Sequence, residues 1–194
     1  MPSVVFLRAV NVGGTNLCRP ARIAQQLARF GVVNIGAVGT FVVREDVNEA
    51  ALRAAISRKL SFKCEIMICP ARDIIKLASK DPFSRQPSGP NIVRFVSVGA
   101  RPLRADILSR LHQTSTASSA RTKHQTSHSL PLTLPSEGEW GLKIIAIQGR
   151  FVLGLYRRQM KAISYLSKIE KLLALPVTTR SWSTIEKIVN LLKE

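Results

Sequence analysis

The sequence has few cysteines and no pattern that would link them. Cys18, Cys64 and Cys69 are odd in number, and none belongs to a Cys-x-x-Cys pair. This spacing provides neither a disulfide framework nor a set of zinc ligands. The cysteine content therefore predicts a reduced, cytoplasmic protein without a structural metal.

Long apolar segments are also missing. No window approaches the roughly 18 apolar residues of a membrane-spanning helix, and Arg8 interrupts the N-terminal apolar run. We therefore expect neither a secretory leader nor a membrane as a partner.

Acidic residues are scarce relative to basic ones. The chain has 29 Lys and Arg against 12 Asp and Glu, a net charge of +17. The excess is spread over both halves, since residues 1–97 carry 14 basic and 6 acidic residues and residues 98–194 carry 15 and 6. Such a charge favours binding to polyanions such as nucleic acid. A basic surface that serves solubility, or that is typical of the source organism, is the alternative.

Aromatic residues are few, 7 Phe, 2 Trp and 2 Tyr. RNA-binding sheets usually present aromatic side chains on their central strands. The first predicted strand offers Phe6 alone, and the strand predicted at 91–98 offers Arg94 and Phe95. Charge thus supports nucleic-acid binding, whereas the placement of aromatic residues does not.

The order of apolar segments, on the other hand, predicts a fold. Strand-like and helix-like segments alternate as β-α-β-β-α-β over residues 1–80, and the same order recurs over 91–194. Residues 81–90 have a linker composition, and 113–136 read as a long mobile loop. A terminal helix is predicted at 183–193, with Ser183 and Glu186 as its capping pair. The fold class is therefore α+β, with two ferredoxin-like subdomains plus a C-terminal helix.

One candidate site begins in the first strand, predicted from Val4 to Val10. A guanidinium within a buried strand is costly unless it meets an anion or several acceptors, which draws attention to Arg8. Asn11, Gly13 and Gly14 follow, and glycine turns can direct backbone amides at an anion. The alternatives are an outward-facing or carboxylate-paired Arg8, and a plain strand-to-helix turn, because the helix begins only near Pro20.

A second candidate lies in the segment 178–184, which combines hydroxyls, an arginine and an indole directly before a helix. Thr179, Arg180 and Trp182 are its predicted anion-binding residues, because an arginine beside hydroxyls and a helix N-terminus can hold an oxyanion. Packing in the core or at an interface is the alternative role for Trp182.

Other chemistry finds little support in the sequence. His124 and His128 are four residues apart, but they lie in a loop-like segment without nearby carboxylates, so no metal is predicted. No nucleophile elbow or carboxylate pair is present, so no cofactor is predicted, and whether the protein is an enzyme stays open. Arg157 and Arg158 are adjacent after the last predicted hairpin, and they are the predicted nucleic-acid contacts.

The two candidate segments resemble the motifs of one family. The run FLRAVNVGG at 6–14 is similar to the leading "LLRGINVGG" of the bacterial domain of unknown function 1697 family, and TTRSWST at 178–184 is similar to its closing "TTRNWNT". The resemblance implies two ferredoxin-like subdomains and no established activity. The chain departs from the family at Ala37–Thr40, where the family usually has "QSGN", and at Tyr156–Met160, where two arginines replace a "YPxGxxxS" pattern.

Two functional hypotheses follow from these observations. The first is a basic module that binds nucleic acid or another polyanion. The second is an enzyme or sensor for a small anionic, for instance phosphorylated, ligand held between the Arg8–Asn11 turn and Arg180. The second hypothesis predicts that Arg8 and Arg180 converge in space. The sequence makes no prediction of oligomeric state.

Overall fold

A computed structural model describes residues 1–103, 130–134, 139–159 and 162–194. Over these residues the protein is a mixed α+β protein with two antiparallel sheets and five α-helices. The chain forms two compact units. The first unit contains Met1–Pro82 together with Trp182–Glu194, and the second contains Phe83–Ser181.

The first unit is built on a four-stranded sheet with the strand order β2-β3-β1-β4. Its elements, in chain order, are β1 (Ser3–Leu7), α1 (Pro20–Gln26), a 3-10 turn (Ala28–Phe30), β2 (Val32–Asn34), β3 (Thr40–Val43), α2 (Glu49–Ser57), β4 (Ile66–Pro70) and α3 (Ala71–Ala78).

The central strand β1 is covered on both faces. Val4 to Leu7 are fully buried. Val5 and Leu7 face a core that includes Ile23 of α1 and Leu52 of α2. Because successive side chains of a strand point to opposite faces, Val4 and Phe6 face the other way. The continuous apolar run predicted from sequence is therefore explained by burial on two sides.

The turn residues confirm some predicted helix boundaries and correct others. Pro20 is the first residue of α1, and Gly31 ends the 3-10 turn in the left-handed conformation at φ 60°. The capping residue of α2 is Asn48, whose Oδ1 accepts hydrogen bonds from the amides of Ala50 and Ala51 at 2.9 and 3.2 Å. Asp46 and Glu49, three residues apart, predict a capping box that starts at Asp46. This prediction is wrong, since the helix begins after Asn48.

The second unit is built on a five-stranded sheet with the strand order β6-β7-β8-β5-β9. Its described elements are β5 (Ile92–Gly99), β6 (Leu132–Leu134), β7 (Leu142–Gln148), β8 (Phe151–Arg157), α4 (Ala162–Leu173) and β9 (Val177–Ser181). One face of this sheet packs against α4, with Phe95, Val152, Ile169 and Leu173 among the buried residues of that core.

The segment predicted as a long loop is only partly described. Within 113–136 the structure describes residues 130–134, and Leu132–Leu134 form the edge strand β6 opposite β7. The rest of the predicted loop lies outside the described residues. Pro102 and the spacing of Leu103, Ile107, Leu108 and Leu111 also predict a helix, and most of this segment lies outside the described residues too. The run at 132–134 was missed because three residues are too short to show an alternating pattern.

The terminal helix α5 spans Trp182–Lys193. It begins one residue before the predicted start, so Ser183 lies inside the first turn and is not the capping residue. The sequence-based division grouped this helix with the second half of the chain; here it packs on α3 and β3 of the first unit. Its apolar face explains this packing, since Ile185, Ile188 and Val189 are buried.

Candidate functional site

Arg8 lies just beyond the first strand. β1 ends at Leu7, and Arg8 is a half-buried residue in a bend, with its amide donating to the Glu65 carbonyl at 3.0 Å. The prediction that the strand continues to Val10 is therefore wrong. Ala9 turns the chain away from the sheet with a left-handed φ of 53°, a conformation that the apolar pattern does not reveal.

The Gly13–Gly14 pair forms a two-residue turn. Both glycines have positive φ, 59° and 75°, and Val12 pairs with Thr15, whose amide donates to the Val12 carbonyl at 3.1 Å. A Cβ at either glycine would have no atom within 4 Å, so the turn conformation alone explains why glycine is suitable. These features are those of a plain turn, and the role of Gly13 and Gly14 in anion binding stays a prediction.

The amide of Asn11 holds this loop together. Its Nδ2 donates to the carbonyls of Cys18 at 3.0 Å and Ala37 at 2.6 Å, and its Oδ1 accepts from the Cys18 amide at 2.9 Å. Both amide hydrogens are therefore engaged, and an anion would have to displace one of these bonds. The role of Asn11 as an anion ligand stays a prediction.

Arg180 is the most buried charged side chain among the described residues, with 7% of its surface exposed. Its Nη1 donates to Thr178 Oγ1 at 2.7 Å and to the Thr179 carbonyl at 2.9 Å. Burial lowers the pKa of Arg180 to about 10, so the guanidinium is still charged at neutral pH.

The hydroxyl next to this guanidinium belongs to Thr178, which is not among the residues predicted from the sequence to bind an anion. Thr179 Oγ1 bonds with Ser97 Oγ at 2.7 Å. Its side chain therefore points to the opposite face of β9 from that of Arg180. The two-residue period of a strand was the signal that could have selected Thr178 instead of Thr179.

The closing motif divides between the two units. Thr179 and Arg180 belong to β9 of the second unit, whereas Trp182 is the buried first residue of α5 in the first unit. Arg8, like Trp182, belongs to the first unit. The convergence of Arg8 and Arg180 stays a prediction.

Basic side chains share one face of the second sheet. Directly opposed residues of antiparallel strands point to the same face, and the register pairs Arg94 with Leu155, Leu155 with Lys143, and Val96 with Arg180. Arg157, two residues after Leu155, points the same way. This face is opposite to the α4 core, and none of the five strands contains an acidic residue. We call Arg94, Lys143 and Arg157 the basic cluster.

Arg157 contacts two residues that precede β7. Its Nη1 is paired with Glu139 Oε1, and its guanidinium lies over the ring of Trp140, 4.9 Å from the ring centre. Its Nε is buried and has no hydrogen-bond partner in the described part of the chain. The neighbouring Arg158 has an exposed side chain, and its amide donates to the Asn91 carbonyl at 2.9 Å.

The centre of this sheet face is not accessible. Val96, Leu153 and Leu155 are fully buried, whereas the three residues of the basic cluster are half-buried. A ligand can therefore reach the end of the face where the cluster lies, but not an open sheet surface. The sparse aromatic content led to the same expectation, since an RNA-binding platform needs exposed rings on central strands.

The described residues offer little support for metal binding, thiol chemistry or membrane insertion. These residues contain no group of three or more potential metal ligands, and His112, His124 and His128 lie outside them. The cysteines are free thiols, and burial raises the pKa of both Cys18 and Cys64, which lowers their thiolate fraction at neutral pH. None of the described helices combines the length and apolarity needed to cross a bilayer.

Fold and sequence together define a two-unit α+β protein. The family described as "Protein of unknown function (DUF1697)" matches residues 1–126, and the chain belongs to this family. Among solved structures, the chain is similar to "conserved bacterial protein SP0830 from Streptococcus pneumoniae", with a TM-score of 0.57 and 17% identity, over 100% of this chain and 98% of the other. At this identity the likeness concerns the fold alone. No curated protein sequence matches the chain.

Proposed function

We propose that the protein binds nucleic acid through the basic cluster of its second unit. The observation that carries the proposal is the position of Arg94, Lys143 and Arg157 on one face of a sheet whose strands contain no acidic residue. Grouped basic side chains attract phosphates more strongly than the same charges dispersed over a surface.

The charge of the second unit supports this proposal. Phe83–Ser181 contains 15 basic and 4 acidic residues, a net charge of +11, whereas the first unit has 14 and 8, a net charge of +6. The charge is even between the halves of the sequence but uneven between the structural units. The second unit is therefore the stronger candidate for polyanion binding.

We further infer that both units are ferredoxin-like. In the first unit the element order is β-α-β-β-α-β and the strand order is β2-β3-β1-β4. The second unit repeats this strand order in β7-β8-β5-β9, with β6 added at the edge. The helix expected between β5 and β7 falls in the segment outside the described residues.

A charge-matched pair of variants tests nucleic-acid binding. The triple variant Arg94→Gln/Lys143→Gln/Arg157→Gln removes the basic cluster, and Arg101→Gln/Lys168→Gln/Lys171→Gln removes three exposed charges elsewhere in the same unit. We expect the first variant to lose at least about tenfold in affinity for a labelled single-stranded RNA at about 50 mM salt, and the second to lose much less.

Equal losses in the two variants would show that only net charge matters, and absence of binding by the wild type would refute the proposal. Because Arg157 is half-buried, the double variant Arg94→Gln/Lys143→Gln serves as a second test if the triple variant does not fold.

The buried Arg180 favours a second candidate function, the binding of a small anion. Its guanidinium is held beside Thr178 Oγ1 at 2.7 Å, and its pKa of about 10 keeps it charged at neutral pH. Inorganic phosphate should then raise the melting temperature of the wild type but not of Arg180→Met. An equal rise in both would exclude Arg180 as the ligand-binding group.

A further inference from the structure

The surroundings of Trp140 point to a more specific ligand. Trp140 lies two residues before the start of β7, is half-buried, and is not among the described side chains that pack on the α4 core. A tryptophan that stabilises a hydrophobic core is normally packed against the other side chains of that core. The indole of Trp140 is therefore available in part to a ligand.

The guanidinium of Arg157, next to Trp140, is paired with a carboxylate that a ligand can displace. Arg157 lies over the Trp140 ring at 4.9 Å and is paired with Glu139, whose side chain is 67% exposed. A carboxylate this exposed is held weakly, because water competes for both charges. An incoming anion can therefore replace Glu139 at this guanidinium at low cost.

An indole in contact with a guanidinium suits a nucleotide, which has a flat base and a negatively charged phosphate. The ring offers a surface for a base, and the guanidinium offers paired donors for a phosphate. A duplex hides its base faces, whereas a single strand exposes them. Arg94 and Lys143 lie on the same sheet face, on strands two positions apart, about 10 Å at the usual strand spacing, and can contact neighbouring phosphates.

We propose that Trp140 and Arg157 recognise single-stranded nucleic acid, with a base stacked on Trp140 and a phosphate replacing the Glu139 carboxylate on Arg157. This inference rests on the proposed function and narrows its ligand to single strands. Stacking on an aromatic ring tolerates any base, so little sequence preference is expected.

Tryptophan fluorescence tests the inference, because the chain has 2 tryptophans and Trp182 is buried. In the full-length Trp182→Phe variant, the emission comes from Trp140 alone. We expect an oligouridylate of about 12 nucleotides to quench it, and a duplex RNA of the same length to quench it far less. Trp140→Ala, in the wild-type background, should lose about tenfold in affinity for the oligouridylate, whereas Trp140→Phe should retain most of the affinity.

The variant Glu139→Gln provides an independent readout. Removing the competing carboxylate should raise the affinity for the single strand several-fold. The control Glu170→Gln, which removes one negative charge on α4, should raise this affinity less. Circular dichroism of each variant shows whether it is folded.

The outcomes separate this inference from the proposed function. If binding depends on the basic cluster but is unchanged in Trp140→Ala, or is equal for duplex and single strand, this inference is wrong and the proposed function stands. If neither form of nucleic acid binds the wild type, both are wrong.

Discussion

Replacing Arg180 with methionine removes a buried charge while keeping a side chain of similar length. Burial lowers the pKa of Arg180 to about 10, and the difference from an ordinary arginine corresponds to a cost of roughly 3 kcal/mol for keeping the group charged in the folded state. The hydrogen bonds to Thr178 Oγ1 and the Thr179 carbonyl offset part of this cost, at about 1 kcal/mol each. We therefore expect Arg180→Met to keep the wild-type free energy of unfolding at pH 7 or to raise it by up to about 1 kcal/mol.

Urea denaturation of the wild type, Arg180→Met and the exposed-site control Arg158→Met measures this difference. The control should change the free energy of unfolding by less than about 0.5 kcal/mol. Because folding lowers the pKa of Arg180, the folded protein releases this proton at a lower pH than the unfolded chain, so the cost falls as the pH rises through 10. The advantage of Arg180→Met should therefore shrink in alkaline buffer. A loss of more than about 2 kcal/mol at pH 7 would refute the reasoning, because it would mean that Arg180 gains more from its contacts than its burial costs.

Four further substitutions test the backbone, the core and the loop at residues 8–18. Ala9→Gly should raise the free energy of unfolding by about 0.5 kcal/mol in urea, because the φ of 53° is costly for alanine; a loss would contradict this conformation. Gly154→Ala should lower the free energy of unfolding by about 3 kcal/mol, and with it the melting temperature, because the new Cβ would lie 2.6 Å from Cζ of Phe95. Gly149→Ala should lower the free energy of unfolding by only about 1 kcal/mol, because Gly149 has open space around it and a φ of 59°. Equal losses would exclude the steric explanation. Asn11→Ala should speed hydrogen exchange and proteolysis within residues 8–18, because three hydrogen bonds of that loop are lost, and unchanged protection would show that the amide is not its main support.

The sequence was sufficient to predict the fold class and the succession of most described elements. A continuous apolar run marks β1, apolar residues at helical spacing mark α1, and two apolar runs about a glycine mark the hairpin of β7 and β8, because burial imposes these patterns. The family was also recognised from its two motifs, and the match over residues 1–126 confirms it. The boundary at Leu7 was missed, because it depends on the φ angle of Ala9 and not on hydrophobicity.

The candidate site was less predictable because it depends on long-range register. Arg94, Lys143 and Arg157 are far apart in the chain, and only the pairing of β5, β8 and β7 places them on one face. Arg157 is predicted as a nucleic-acid contact because it is adjacent to Arg158. Its contacts with Glu139 and Trp140, however, are made with the segment that precedes β7. No local pattern encodes these contacts.

The salt dependence of nucleic-acid affinity tests the central claim most directly. Each phosphate contact with a single strand contributes about −0.7 to the slope of log K against log salt concentration. Removing Arg94, Lys143 and Arg157 together should therefore make the slope for a labelled single-stranded RNA less negative by about 2, whereas the variant lacking Arg101, Lys168 and Lys171 should keep the wild-type slope. The same slope in all three proteins would contradict the assignment of the basic cluster as the nucleic-acid interface.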